Sequence, residues 1–383
     1  MTLSPMDDHP IHQISEVIRH VGTSDRNFYD RYYFNCNPRL DDSSSPVETP
    51  WFIFGLGVYP NLGVADCFTV GRHGDDHLVV RASRALGADR DDLTVGPFTV
   101  EVLEGLQRLR ISLEPGHGDV AFELTFDADA PAVLEPRHFQ RQIERVVFDT
   151  QRFVQTGNWS GSLTVGDSTF EVTPETWRGN RDRSWGIRPV GEAEPPGRRA
   201  ADSDNASFFW IYSVMRFDDF AVVSIVQEKR DGERVMDDAR LIRADGSSDP
   251  EWLGRVEHEV SFVPGGREPA SATLRFVKPS GATTTVECSP KVANYIGFGT
   301  GYGLEQDWRH GMWQGAEKVE SLRLKVSELD KTMKLFCPVD HLASFTMTGP
   351  DGRVHRGEGL FEFSVIGPHD QYGFTDYVDV VPE

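Results

Sequence analysis

The sequence predicts an all-β fold of two antiparallel β-barrels in tandem, with a short helix near the N-terminus. Short runs of alternating apolar and polar residues recur about every 8–12 residues and end at polar, glycine-containing turns, as in sandwiches and barrels. No repeating strand–helix pattern indicates a parallel sheet. The chain has 383 residues, and because single cores stop growing at roughly 250–300 residues, two domains are expected.

The first half opens with the predicted helix, over residues 11–21, where isoleucine and valine recur every three to four positions. Trp51–Tyr59 is almost wholly apolar and is expected to form a buried strand that ends at Pro60. Hairpins follow along the chain to residue 126. Residues 131–155 mix arginine, histidine and glutamine with apolar residues, which is compatible with either a short helix or a long connection across a barrel mouth.

The second half has the same character as the first. Alternating segments are expected at residues 208–215, 220–227, 256–263, 272–277, 283–288, 319–326, 343–348 and 359–366. Between the halves, residues 191–204 are rich in proline, glycine and charge, a composition typical of linkers. The predicted N-terminal domain therefore spans residues 1–195 and the C-terminal domain residues 196–383.

The charge of the chain bears on its partners. Its 60 acidic and 39 basic residues give a net charge of −21, which repels nucleic acid and anionic membranes. No apolar stretch approaches a membrane span of about 20 residues, and no signal peptide is recognisable. The four cysteines are far apart, without a C-x-x-C pair. We therefore expect reduced thiols, a cytoplasmic location, and neither a nucleic-acid partner nor stable membrane insertion.

Residues 177–186 have the most unusual composition of the chain, with three arginines, an aspartate and two tryptophans. On a strand, Arg181 and Arg183 would share one face, and Asp182 would share the other with Ser184.

Two roles are open for Asp182. If its carboxyl faces a cavity lined by Trp177 or Trp210, loss of water raises its pKa and suits it to proton donation. Contacts with arginine would instead hold it ionised, and an Arg–Asp ion pair that closes a barrel end is the structural alternative.

Two further clusters contain residues that suit a binding pocket. Residues 307–315 include His310 and Trp313, a mixture typical of an apolar pocket wall with a few polar groups. His310 is the histidine candidate for acid–base chemistry, because an imidazole titrates near neutral pH. His369 lies in the terminal segment 367–374. Ordinary packing is the alternative for both clusters, and no histidine pair has a spacing that predicts a metal site.

The segment Arg181-Asp182-Arg183-Ser184-Trp185-Gly186, together with residues 209–212, the Asp218-Asp219 turn and residues 227–232, resembles the tandem lipocalin-like superfamily of carotenoid 1,2-hydratase (hydroxyneurosporene synthase). Residues 308–311 and 367–369 are similar to a bacterial branch of it known mainly as domains of unknown function. The resemblance implies two lipocalin-like, calycin-type barrels that act on bulky apolar molecules without a metal or redox cofactor.

For the hydratase, the resemblance implies protonation of a double bond while aromatic rings shield the carbocation. Arg183-Ser184-Trp185 stands where a histidine-x-tryptophan is expected. Trp185 matches, whereas Arg183 departs from the pattern because arginine does not donate a proton at neutral pH. Asp182, supported by Tyr212, is then the candidate acid, and a different chemistry in this branch is the alternative.

We therefore expect a cofactor-independent hydratase, dehydratase or isomerase for an isoprenoid- or steroid-like hydrophobic small molecule. The predicted catalytic residues are Asp182, Tyr212 and His310, and the predicted ligand-binding residues are Trp177, Arg181, Arg183, Trp185, Trp210, Trp313 and His369. The alternative is a non-catalytic lipid- or terpenoid-binding protein in which the arginines hold an acidic head. The choice between carbon–oxygen lyase and isomerase or cyclase stays open, as does a homodimer.

Overall fold

The segments in which apolar and polar residues alternate form the strands of two curled antiparallel sheets, which confirms the tandem-barrel prediction. The structure is a computed structural model that describes residues 3–40, 48–142, 144–195 and 207–383. Most of the predicted linker, including the residues just after the predicted boundary at 195, lies outside these ranges.

The strands of the first half are β1 (Phe28–Pro38), β2 (Trp51–Tyr59), β3 (Val64–His73), β4 (Asp76–Ala85), β5 (Thr94–Val95), β6 (Phe98–Glu104), β7 (Arg108–Leu113), β8 (Val120–Ala128), β9 (Val133–Leu134), β10 (His138–Gln142), β11 (Arg145–Val165), β12 (Ser168–Val172) and β13 (Trp177–Ile187). Those of the second half are β14 (Phe208–Arg216), β15 (Phe220–Glu228), β16 (Arg234–Arg243), β17 (Glu251–Trp252), β18 (Arg255–Phe262), β19 (Pro269–Val277), β20 (Thr283–Asn294), β21 (Glu317–Lys325), β22 (Val339–Thr348) and β23 (Val354–Ile366). Short 3₁₀ turns at Pro5–Asp8, Val326–Glu328 and Asp370–Tyr372 and one helix, α1 (Lys331–Lys334), complete the described elements.

One strand of the second half joins the first sheet. The first sheet runs in the order β21-β4-β3-β2-β1-β13-β11-β8-β7-β6-β5, with β9, β10 and β12 paired to β11. The second runs β17-β16-β15-β14-β23-β22-β20-β19-β18. Because β21 pairs with β4, the two halves are tied together by backbone hydrogen bonds as well as by packing.

Each sheet packs one face into its own core and the other against its neighbour. Phe34, Phe54 and Trp159 belong to the core of the first sheet, and Phe209 and Phe361 to that of the second. A third apolar cluster combines residues of both sheets, among them Tyr33, Trp51, Tyr212, Val214 and Leu342. The functional candidates described below lie in this layer between the sheets.

Two segments differ from their predicted form. Residues 11–21 run as turns and irregular chain, and the short N-terminal helix is the 3₁₀ turn at Pro5–Asp8 instead. The Asp7 carboxylate accepts a hydrogen bond from the Ile18 backbone and pairs with His12, and these contacts hold the segment in a non-helical conformation. For residues 131–155 the short-helix alternative is wrong, because residues 131–142 and 144–155 are mainly extended and include β9, β10 and part of β11.

Candidate functional site

A cavity of about 210 Å³ lies in the layer between the two sheets. It is lined by Tyr29, Arg31, Tyr33, Glu135, Pro136, His138, Phe148, Thr150, Arg152, Asp182, Ser184, Arg188, Phe208, Trp210, Tyr212, Met236, Ile296, Tyr302, Pro338, Asp340, Leu360 and Glu362. Four carboxyl groups and three guanidinium groups therefore surround one small space, together with aromatic rings. This concentration of ionisable groups away from bulk water is typical of active sites.

Asp182 lies in the middle of β13, where alternation turns its side chain into the cavity. In the register of the first sheet it stands opposite Tyr33 of β1 and Val154 of β11. Burial raises the pKa of its carboxyl from 3.8 to about 6, although Arg152 and Arg31 act to lower it. Within the described ranges, no group hydrogen-bonds to this carboxyl. Asp182 thus presents to the cavity a carboxyl that titrates near neutral pH.

Asp340 and Glu362 form a second acidic group on the opposite wall. They are direct cross-strand partners on β22 and β23. The hydroxyl of Tyr33 donates a 2.5 Å hydrogen bond to Oδ2 of Asp340. Burial and the neighbouring Glu362 raise the pKa of Asp340 well above its usual value, and burial also raises the pKa of Glu362. Two negative charges this close together repel each other strongly in a site shielded from water, so the pair retains a proton.

Glu135 is the fourth carboxyl, and both of its oxygens are occupied. Oε1 accepts a 2.8 Å hydrogen bond from the Tyr212 hydroxyl, and Oε2 accepts one of 2.7 Å from Nε of Arg152. Burial raises the pKa of Glu135, and Arg152 counteracts part of that rise. The three side chains form one network that fixes the Tyr212 ring against the cavity.

A ladder of rings on β14 forms the aromatic wall. Phe208, Trp210 and Tyr212 point to the same face, with centroids 5.9 Å apart for the first pair and 6.1 Å for the second. The Arg152 guanidinium lies 4.1 Å from the Tyr212 centroid and 5.8 Å from that of Trp210. Faces of aromatic rings attract cations, so this wall can stabilise positive charge on a bound molecule.

Three cavity-lining residues have buried polar atoms without a hydrogen-bond partner among the described residues: Nε2 of His138, Nε1 of Trp210 and Oδ1 of Asp340. The Trp210 indole lies near enough to Glu362 to lower the pKa of that carboxyl, without meeting hydrogen-bond geometry. Burial and Arg152 lower the pKa of His138 to about 4, so its ring is neutral. Because buried polar atoms are nearly always paired, these three atoms are available to polar groups of a ligand.

The structure brings Asp182, Trp210 and Tyr212 to this cavity, but places four other predicted residues elsewhere in the first sheet. Arg181 bonds Gln155, Arg183 pairs with Asp30, and Trp185 packs on Phe153. These three alternate with Asp182 on β13 and therefore face the opposite side of the sheet. The fourth, Trp177, is buried in the core of the first barrel.

Three further predicted residues also lie away from the cavity lining. His310 stacks on Phe68, and its Nε2 contacts the Thr300 carbonyl at 2.8 Å. Burial lowers the pKa of His310 well below its usual value, which leaves the ring neutral instead of poised for acid–base work. Trp313 is 52% exposed. His369 is buried in the second barrel, where Nε2 contacts Glu228 at 3.0 Å.

The cavity residues that were not predicted from the sequence include Tyr33, Glu135, Asp340 and Glu362. Glu362 interrupts the apolar run Leu360-Phe361-Glu362-Phe363, and Asp340 stands between Val339 and the mainly buried remainder of β22. A charge inside an otherwise buried strand is the signal that could have identified these two.

Comparison with known proteins places the chain in a family. The sequence model of the protein family DUF8625, which is described as a family of unknown function, matches residues 3–375. The chain belongs to DUF8625. A search among curated proteins finds no match for this DUF8625 chain. None of its described helices is long and apolar enough to cross a membrane.

Solved structures show the same fold at low sequence identity. A protein assigned as AttH from Nitrosomonas europaea aligns with a TM-score of 0.52 at 13% identity, over 88% of this chain and 92% of its own. Kievitone hydratase from Nectria haematococca aligns with a TM-score of 0.52 at 13% identity, over 87% of this chain and 88% of its own. These likenesses place the DUF8625 chain in the tandem lipocalin-like fold.

Proposed function

We propose that the cavity between the sheets is the active site of an enzyme that hydrates, dehydrates or isomerises an apolar small molecule by acid–base chemistry. The observation that carries this proposal is the Asp182 carboxyl, which faces the cavity without a hydrogen-bond partner among the described residues and has a pKa of about 6. A general acid works best when its pKa lies near the working pH. Kievitone hydratase, which has this fold, is a hydratase by name, and this favours water addition or removal.

Protonation of a double bond by Asp182 accounts for the arrangement of the site. The π electrons take the proton to form a C–H bond, which leaves a carbocation facing Trp210 and Tyr212. A water oxygen then attacks the cation and returns a proton to the Asp182 carboxylate, so the acid is regenerated. Dehydration is the reverse sequence, and loss of a different proton from the cation gives an isomer.

The other carboxyls are less suited to this role. Both oxygens of Glu135 are engaged by Tyr212 and Arg152, so we assign Glu135 to positioning the aromatic wall. Asp340 accepts a hydrogen bond from Tyr33 and lies beside Glu362, which helps to raise its pKa. The proton that the pair retains can be donated in a hydrogen bond to an oxygen of the substrate.

The size of the cavity limits what it can enclose. Its volume of about 210 Å³ exceeds the roughly 150 Å³ cavity that holds benzene, and is below the roughly 300 Å³ at which pockets for drug-sized ligands begin. A ring or an isoprene-derived end of a substrate fits inside. A longer isoprenoid would extend out of the cavity.

Isotope incorporation from water tests the proposal without a known substrate. The protein is incubated in H₂¹⁸O with a panel of branched alkenes and tertiary alcohols, beginning with any molecule that native mass spectrometry finds bound after purification from the host. We expect ¹⁸O incorporation with the wild type and its loss in Asp182→Asn. The matched control is Asp30→Asn, which removes a carboxyl from the other face of the first sheet.

If the Asp182→Asn variant still incorporated ¹⁸O at the wild-type rate, Asp182 would not be the catalytic acid. A bound molecule that neither protein converts would instead favour the alternative, a non-catalytic lipid- or terpenoid-binding protein.

A further inference from the structure

Arg31 is a buried cation without an ion-pair partner within the described ranges. It lies on β1, 5% exposed, with its guanidinium 4.6 Å from the Tyr302 centroid and 5.6 Å from that of Phe68. Its Nη2 donates a 2.8 Å hydrogen bond to the Tyr302 hydroxyl, a neutral group. Buried charges are normally paired, because an uncompensated charge away from water is costly.

The acidic groups near Arg31 favour its charged form and raise its pKa, but none of them contacts its guanidinium directly. Asp66 accepts hydrogen bonds from the Tyr59 hydroxyl at 3.1 Å and the Gly311 backbone at 2.5 Å, and burial raises its pKa to about 7. The Asp182 carboxyl also acts on Arg31 electrostatically, but it too has a raised pKa. Neither forms an ion pair with Arg31.

Arg188 is a second cavity guanidinium without a charged partner among the described residues, although it is half-buried whereas Arg31 is buried. It directly follows β13, an even number of residues after Asp182, and lines the same cavity. Its guanidinium carbon lies 5.4 Å from the centroid of the Tyr29 ring. No hydrogen bond or ion pair engages its guanidinium in the described part of the chain. The third cavity guanidinium, Arg152, is by contrast paired with Glu135 at 2.7 Å. Arg31 and Arg188 both act on Tyr302 and Asp182, so they define one positive end of the cavity.

We propose that the substrate carries an acidic group, such as a carboxylate or an acidic enol, and that Arg31 and Arg188 bind its anion. This inference rests on the proposed function, and adds the substrate class to it. With the anion at the positive end, the apolar body of the molecule lies along Phe208 and Trp210, and its reacting carbon lies beside Asp182. A bound anion next to Asp182 also favours the protonated form of that carboxyl, which is the form that donates a proton.

Binding of two matched probes tests the inference by titration calorimetry. The probes are 2-naphthoate and 2-naphthamide, which share the ring system and differ in charge. We expect the wild type to bind naphthoate at least about tenfold more tightly than naphthamide, because charge-assisted hydrogen bonds to arginine are stronger than neutral ones. Arg188→Gln should weaken naphthoate binding about tenfold and leave naphthamide unchanged, and Arg188→Lys should restore part of the difference.

Controls separate this inference from the proposed function. Arg137→Gln removes an arginine that is exposed and pairs with Asp149 outside the cavity, and should leave both affinities unchanged. Asp182→Asn should bind naphthoate at least as tightly as the wild type, even though it is expected to lose turnover.

Equal affinity of the wild type for the two probes, equal weakening of both by Arg188→Gln, or no naphthoate binding up to about a millimolar would each overturn the acidic-substrate inference. None of these results depends on turnover, so the role of Asp182 stands or falls separately.

Discussion

The Tyr33 hydroxyl of the first sheet donates a 2.5 Å hydrogen bond to the Asp340 carboxyl of the second. The bond crosses the layer in which the cavity lies, and Asp340 is only 1% exposed. Its other oxygen, Oδ1, has no hydrogen-bond partner among the described residues. The same contact therefore joins the two sheets and holds an acidic group in place.

Replacement of Tyr33 should lower the free energy of unfolding. Tyr33→Phe leaves the Asp340 carboxyl without its hydroxyl donor, so we expect a loss of about 1–3 kcal/mol in the free energy of unfolding, measured by urea denaturation. Tyr29→Phe is the matched control, because the Tyr29 ring also lines the cavity and no described residue hydrogen-bonds to its hydroxyl. Equal losses in the two variants would contradict a specific role for the Tyr33–Asp340 bond.

Asp182 should make the protein less stable as the pH rises from about 4 to about 6. In this window the folded state keeps a proton that the unfolded state has released, because the folded pKa is about 6 and the ordinary pKa of the side chain is 3.8. Each pKa unit corresponds to about 1.4 kcal/mol, so the contribution has a ceiling of roughly 3 kcal/mol.

Urea denaturation of the wild type and Asp182→Asn at pH 4 and pH 7 measures this contribution. The variant should lose less stability across the interval, since the other buried carboxyls are common to both proteins and cancel. An identical pH dependence would contradict the raised pKa.

Glu135→Gln should destabilise the protein because it leaves Arg152 without its carboxylate. Removing one partner of a buried ion pair costs about 3–5 kcal/mol. We expect about 2–4 kcal/mol here, because the Arg152 side chain keeps 20% of its surface exposed. The double variant Glu135→Gln/Arg152→Gln should lose less than the sum of the single variants in a double-mutant cycle. Strict additivity would show that the pair does not act as a unit.

Trp210→Leu should slow turnover of any substrate found by the isotope screen, because the cation would lose an aromatic face. Cation–π contacts contribute about 0.5–2 kcal/mol, which corresponds to a fall in kcat of roughly 2- to 30-fold. Trp313→Leu serves as the control, since that ring is 52% exposed and outside the cavity lining. Comparable losses in both variants would point to a general structural effect.

Local alternation makes part of the site predictable. Because successive side chains on a strand point to opposite faces, the amino-acid sequence alone separates Asp182 from Arg181 and Arg183, and the register of β13 agrees. The same rule places Trp210 and Tyr212 together on β14. It does not decide which face of a strand meets the cavity, and for this reason the predicted site also includes Trp185, which lies on the opposite face of β13 from Asp182.

Long-range pairing accounts for what the sequence does not reveal. Glu135, Asp340 and Glu362 meet Asp182 only because two sheets pack face to face, and no local pattern encodes which segments will pack together. The pairing of β21 with β4 at the edge of the first sheet is likewise a long-range contact that the local sequence does not encode. The helix predicted over residues 11–21 is wrong because apolar periodicity is its only support, and Asp7 bonds Ile18 and His12 in a non-helical chain.

The measurement that tests the central claim most directly is the pH titration of the Asp182 carboxyl by NMR. Protein labelled with ¹³C at the aspartate carboxyl carbons gives one resonance that disappears in Asp182→Asn, which assigns it without a substrate or an activity assay. We predict a midpoint near pH 6, as expected for a desolvated acid ready to donate a proton. A midpoint at or below about pH 4, the ordinary range of aspartate, would contradict the assignment of Asp182 as the acid.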